Sequence, residues 1–167
     1  RLEMKNTRLS IDLEKSEAFL FNGQDHLNFL MSSDKGKTFE SLKKVASGGE
    51  MSRIMLAVKS IVSGYSNLPA IIFDEIDSGV SGEVSNRIAE VMQKMSENMQ
   101  VITITHLPQV AAKGHQHYKV FKEEARSGIS SNIKLMNDDE RLVELAEMLG
   151  GSNLSDSALA HARQLLS

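Results

Sequence analysis

The chain has 167 residues, 41% hydrophobic and 25% charged, with 19 basic against 22 acidic side chains and no cysteine. A chain of this length can bury roughly 70% of the surface it exposes when unfolded, enough for a core without disulfide or metal staples, and its composition argues against disorder. Lack of cysteine excludes thiolate zinc sites, redox pairs and cysteine nucleophiles, the net charge of −3 gives no global pull on nucleic acid, and no apolar run approaches the ~20 residues of a membrane helix.

Leu9, Ile11 and Leu13 alternate with polar residues, as do Leu27, Phe29 and Met31, so residues 8 to 14 and 26 to 32 are expected to be half-buried strands that pair. Ser32 to Lys37 is turn chemistry. From Gly49 to Val62 the period becomes helical, with Met51, Ile54, Met55, Val58, Ile61 and Val62 on one face, and Ser63-Gly64 stops the helix. Ala70-Ile71-Ile72-Phe73 is a continuous apolar run that suits a strand covered on both sides, and it ends abruptly in Asp74-Glu75. A helix from about Gly82 to Glu97, with Val84, Ile88, Val91, Met92 and Met95 inward, leads to a buried strand, Val101 to Thr105. Strand, helix, strand in that order is a βαβ unit with parallel strands. His117 to Lys122 and Ile129 to Met136 flank Arg126-Ser127-Gly128 as a hairpin, and helices at about Asp139 to Leu149 and Ser155 to Leu166 close the chain. A single α/β domain over residues 1–167 is expected. Arg rather than Met at position 1 suggests a fragment, and Arg1 to Ser10 lacks the apolar stretch of a signal peptide.

Three places in this pattern carry chemistry. Ser47-Gly48-Gly49-Glu50-Met51-Ser52-Arg53 sits where a loop becomes a helix. The spacing of Ser47 and Glu50 is that of a capping box, but two glycines in a first turn each cost about 1 kcal/mol of helix propensity relative to alanine. Glycines there bare the backbone N–H groups to an anion, so capping and phosphate binding are both open readings. Asp74-Glu75 ends a strand at the sheet edge where open α/β sheets bind ligands; one carboxylate could hold hydrated Mg²⁺ and the other orient an attacking water, or both could be solvated loop acids. Asp77, in the tight loop Asp77-Ser78-Gly79, could be a third ligand, an interface residue or a turn former. Thr105-His106-Leu107-Pro108 closes the second strand of the unit, so His106 is expected on the same edge as the two acids, where a neutral imidazole could hydrogen-bond a terminal phosphate or the attacking water.

Other patterns lack their full complement. Gly36-Lys37-Thr38 copies the end of a phosphate-binding P-loop, but the first glycine of that motif would fall at Met31, so a turn is the better reading. His115-Gln116-His117 could present two imidazoles, yet a third metal ligand is missing and a polar strand end is preferred. Neither H-E-x-x-H nor G-x-S-x-G occurs. Lys113, Lys119 and Lys122 are scattered near the hairpin and read as a solvated face in preference to a DNA contact.

Taken in order, Ala46 to Arg53, then Ala70 to Glu75, then Ile76-Asp77-Ser78-Gly79-Val80-Ser81-Gly82, then Thr103-Ile104-Thr105-His106, resemble the signature motif, Walker B, D-loop and switch histidine of ABC-type ATPases. With the flanking Val45, the run Thr105-His106-Leu107-Pro108-Gln109-Val110-Ala111, and Gly114-His115-Gln116-His117-Tyr118, the chain from about Lys43 to its end looks like the RecN family of SMC-like bacterial DNA repair proteins; residues 1–42 match loosely.

The resemblance implies an α/β fold: the C-terminal lobe of a P-loop NTPase head of ABC/SMC type, a mainly parallel sheet flanked by helices with antiparallel edge strands. It implies roles too. Asp74 would support Mg²⁺, Glu75 activate the hydrolytic water, and His106 sense the γ-phosphate. Ser47, Gly48 and Gly49, with Glu50 beside them, would meet the γ-phosphate of ATP held by the opposite head, and Asp77 would lie at the dimer seam. Ala46 replaces the usual leading leucine of the signature, which alters packing more than phosphate contact. Walker A and the glutamine loop are not found, and RecN-like proteins carry them on an N-terminal segment beyond long coiled-coil arms. The chain is therefore expected to be nearly inactive alone and to need that N-terminal half of the head. The implied whole is a cytoplasmic, nucleoid-associated, non-membrane ATPase that works as an ATP-joined homodimer on DNA in double-strand break repair and recombination. A non-catalytic docking module, another SMC/ABC-type ATPase, and a self-contained Mg²⁺-dependent phosphohydrolase are the competing readings.

Overall fold

Strands β1 (Arg8–Leu20) and β2 (Gly23–Ser32) form the antiparallel pair expected from their alternation, joined to a two-residue β3 (Glu40–Ser41). The computed structural model describes residues 2, 4–77, 79–80, 82–125, 128–151 and 154–167. β1 runs past residue 14 because pairing resumes at Leu20 with Gly23 after a register shift beyond Lys15, an irregularity that breaks the period-2 pattern a sequence can show. The turn after β2 is tied by the Ser32 hydroxyl, which donates to the carbonyls of Asp34 (2.9 Å) and Lys37 (3.0 Å), so Gly36-Lys37-Thr38 belongs to a turn and not to a phosphate loop.

After a short α1 (Leu42–Val45), helix α2 (Gly48–Ser63) leads to β4 (Ala70–Asp74), α3 (Glu83–Ser96) and β5 (Gln100–Ile104). β4 and β5 pair in parallel, Ala70 with Gln100 through Asp74 with Ile104, which is the predicted βαβ unit. Ile71, Phe73 and Val101 face the main core, where Leu56, Ile88, Met92 and Met95 are buried and Leu2 joins them. A fully buried leucine such as Leu56 contributes about 1.5–3 kcal/mol.

The opposite face of the pair departs from expectation. Ile72, Ile102 and Ile104 are 64%, 43% and 54% exposed, so the strands predicted to be covered on both sides are covered on one. Helix α2 repeats the pattern: Met55, Val58, Ile61 and Val62 of the predicted inward face are exposed, and Leu56, outside that set, is the fully buried residue. Apolar residues lie nearly all round α2, so periodicity alone could not choose which side this chain covers. In the hairpin, Leu9, Ile11, Leu13, Leu27 and Phe29 are likewise exposed instead of half-buried.

The C-terminal part starts with α4 (Pro108–Lys113), a six-residue helix too short for a 3.6 period to reveal, although proline at its first position was a usable start signal. The hairpin of β6 (Tyr118–Ala125) and β7 (Gly128–Leu135) forms as expected, with Arg126 and Ser127 of its expected turn lying outside the described residues. Helices α5 (Asp138–Gly150) and α6 (Asp156–Leu166) pack with α4 around Leu145 and through Ala112, Ala146, Ala158 and Ala162, small side chains that let helices approach closely. Asn137 and Glu140 close a capping box at the start of α5. The antiparallel strands form sheets of their own instead of the expected edges of a mainly parallel sheet, which among the described residues is the β4–β5 pair. Among the described residues no helix is long and apolar enough to cross a membrane.

Candidate nucleotide site at the edge of the parallel strands

The signature segment opens α2 with Ser47 as its N-cap. Ser47 Oγ accepts the Glu50 N–H at 3.3 Å, while the Glu50 carboxylate accepts the Ser47 N–H at 2.9 Å and the Ser47 hydroxyl at 2.8 Å. The backbone donor, then the hydroxyl, hold the Glu50 carboxyl below its usual value. The capping box is therefore formed, and it contributes about 1 kcal/mol. It does not use the whole helix end. Ser47 O takes the Met51 N–H, so the Gly48 and Gly49 N–H groups are not engaged by the box. Ser47 and Gly48 are exposed, and a Cβ at Gly48 would meet no atom within 4 Å. The fold of this chain does not require glycine at 48.

The parallel register sets the rest of the site. Asp74 pairs with Ile104, so Asp74-Glu75 and Thr105-His106 leave the same C-terminal edge side by side. Asp74 lies on the uncovered face with Ile72 and Ile104, and its side chain is exposed, as are those of Glu75 and His106. Glu75 has φ of +46°, the single left-handed non-glycine backbone among the described residues, and its N–H donates to Ile104 O at 3.1 Å. Such a conformation costs an L-residue about 1–2 kcal/mol, and it turns the Glu75 side chain off the strand line at the rim.

Asp77, for which the resemblance implies a place at the dimer seam, is buried within this chain. Its side chain is 1% exposed, and its Oδ2 accepts the Thr105 hydroxyl. The carboxylate is thus turned inward toward Thr105 within this chain. Ser78 and Ser81 of the same motif lie outside the described residues. Thr105 is the residue sequence reasoning passed over: its position directly before His106 at a strand end was the available signal. The hydrogen bonds of Ser47 and Glu50 are to each other, and none joins them to Asp74, Glu75 or His106. The acidic rim with His106 and the start of α2 are thus not joined by these hydrogen bonds. His117 stands beside α5, with burial first and the Arg141 charge second lowering its pKa. No group of three His, Asp or Glu residues able to hold a metal occurs among the described residues. Lys119 is held by Glu144 and Glu147, which takes it out of the scattered basic group.

In sequence, the chain is 43% identical over 159 residues to the DNA repair protein RecN of Bacillus subtilis, an alignment covering 90% of this chain and 28% of that protein. The chain is RecN-like. It spans less than a third of the length of the curated RecN proteins it matches, and no family model matches it. In structure, it superposes on the Smc head domain of Pyrococcus yayanosii with a TM-score of 0.66 at 24% identity, over 86% of this chain and 26% of that one. A chain solved under the heading of ATP-driven dimerization and DNA stimulated activation of SMC ATPases gives 0.62 at 22% identity, over 89% of this chain and 84% of that one. The RecN-like chain therefore has the α/β fold of an SMC head.

Proposed function

We propose that this chain is the C-terminal lobe of an ATPase head in a RecN-type DNA repair protein, and that head closure around ATP and hydrolysis are the work of its two exposed stations. The observation that carries the reading is the rim itself: an exposed Asp74, an exposed Glu75 on left-handed backbone and an exposed His106 gathered at one edge by a parallel register. Asp74 is suited to Mg²⁺, which needs one or two carboxylates and otherwise keeps water and phosphate oxygens; a closed three-ligand cage would not be required. When bound, Mg²⁺ neutralises charge on the transferring phosphoryl group. Glu75 orients the attacking water and takes its proton, and His106 hydrogen-bonds the terminal phosphate. The open helix start at Ser47, Gly48 and Gly49 offers N–H donors to a γ-phosphate held by a second head, with Glu50 fixing Ser47.

Completion of the head supplies the rest. The uncovered isoleucines of β4 and β5 are the face on which a second half, bearing the phosphate-binding loop, would pack, because parallel sheets are covered on both faces. ATP contacts made only in the closed pair would shift the population toward closure. DNA is a partner of the complete, cytoplasmic and nucleoid-associated protein. The test supplies the missing half in trans. Mg²⁺-dependent ATP turnover that disappears in Glu75→Gln supports the reading. A folded complex without turnover would make this a docking module, and turnover by this chain alone would make it a self-contained phosphohydrolase.

A further inference from the structure

We propose that Asp77 and Thr105 are a positioning pair that locks the turn carrying Glu75 to the strand end carrying His106; the catalytic consequence rests on the ATPase reading above. The two segments are laced at successive levels. Glu75 N–H donates to Ile104 O at 3.1 Å, Thr105 Oγ1–H donates to Asp77 Oδ2, and the same Thr105 oxygen accepts the Leu107 N–H at 3.0 Å. One hydroxyl on the residue before His106 therefore holds both Asp77 and Leu107, the residue after it, and the Asp77 backbone carbonyl in turn accepts the Val80 N–H at 3.2 Å. Above this lacing, Glu75 and His106 are exposed, while Asp77 is buried beneath them.

A simple turn former has no need of this arrangement. An aspartate shapes a turn equally well at the surface, whereas here its second oxygen, Oδ1, is buried without a hydrogen-bond partner among the described residues. Burial of a carboxylate against a hydroxyl from a segment 28 residues away is instead a long-range fastening between two loops. It sets the separation of a water-orienting group from a phosphate-binding one, where misplacement by about 1 Å can cost about 100-fold in rate.

The experiment uses the head completed in trans, with Thr105→Val, which removes the hydroxyl at nearly constant volume, and Thr105→Ser, which keeps it. We expect Thr105→Val to lower kcat about tenfold or more while KM for ATP and ATP-dependent dimerisation stay within about threefold, and Thr105→Ser to restore most of kcat. Hydrogen exchange should rise in peptides spanning 74–80 as well as 104–108 in Thr105→Val, but not in Thr105→Ser. Unchanged exchange over 74–80 overturns the link, and equal kcat loss in both variants overturns the role of the hydroxyl. Absence of turnover in the unsubstituted head defeats the ATPase reading, and exchange then still decides whether the two loops are fastened.

Discussion

Gly48 separates the two uses of a helix start. Alanine there would meet open space and gain up to about 1 kcal/mol of helix propensity, so Gly48→Ala should leave thermal unfolding of the chain unchanged or slightly raised. The same methyl group stands where an anion would approach, and ATP-driven association of the completed head should fall; equal association in both proteins would return the segment to simple capping. Glu75 makes the complementary case. Glu75→Gly should raise stability by about 0.5–1 kcal/mol in denaturant unfolding because φ of +46° suits glycine, and Glu75→Val should lower it, while both abolish turnover. In Glu75→Gly stability and activity would then move in opposite directions, whereas in Glu75→Val both would fall. Composition and spacing located both positions, but neither the strain at Glu75 nor the burial of Asp77 was legible, since each goes with a contact to the end of β5 or the residue just after it, Ile104 and Thr105, about 28 residues further along the chain.

Helices and strands were legible where their period was long. α2, α3, α5 and α6 appear within a few residues of expectation, and the parallel pair follows from strand, helix, strand order. α4 was not, and its hold on the fold comes from elsewhere: the Arg141 guanidinium donates to Ala111 O at 3.3 Å, Ala112 O at 2.6 Å and Gly114 O, the carbonyl end of α4. A cation at that end adds a donor to the terminal carbonyls, of which Ala111 O also takes the Gly114 N–H. Arg141→Met should cost about 2 kcal/mol, read from the unfolding midpoint. A pH effect belongs to the same junction. Burial, then Arg141, lowers the pKa of His117 below its ordinary 6.5, so the unfolded chain takes up a proton first as pH falls. The stability this contributes is complete above 6.5 and is lost as pH drops from there through the lowered value. His117→Gln should flatten the pH dependence of Tm in that window; an unchanged slope would place the titration at another group. Glu50 and Glu140, both held below 4.5, contribute stability above that pH that fades further into acid.

At the scale of the molecule, the apolar pattern was legible but its cover was not. Alternation and periodicity report which side chains are oily, and they are silent about whether the surface that buries them lies in the same stretch of chain. Ile72, Ile102, Ile104, Val58 and Ile61 show the difference, being patterned as core and exposed here. An exposed apolar face such as that of Ile72, Ile102 and Ile104 on the parallel strands is of the kind that marks interaction surfaces. The chain by itself should bind a dye such as ANS and self-associate, and Ile72→Lys with Ile104→Lys should reduce both while preventing the completing half from binding. Should the doubly charged chain still pair with that half, the docking face lies elsewhere. Asp74, at the rim, occupies the same side of the parallel strands as Ile72, Ile102 and Ile104. Whatever shields the oily patch must therefore arrive next to the carboxylate, so shelter and chemistry come together. On the ATPase reading proposed above, an orphaned or crookedly joined copy would sit idle without consuming nucleotide, a safeguard against futile turnover before assembly is finished.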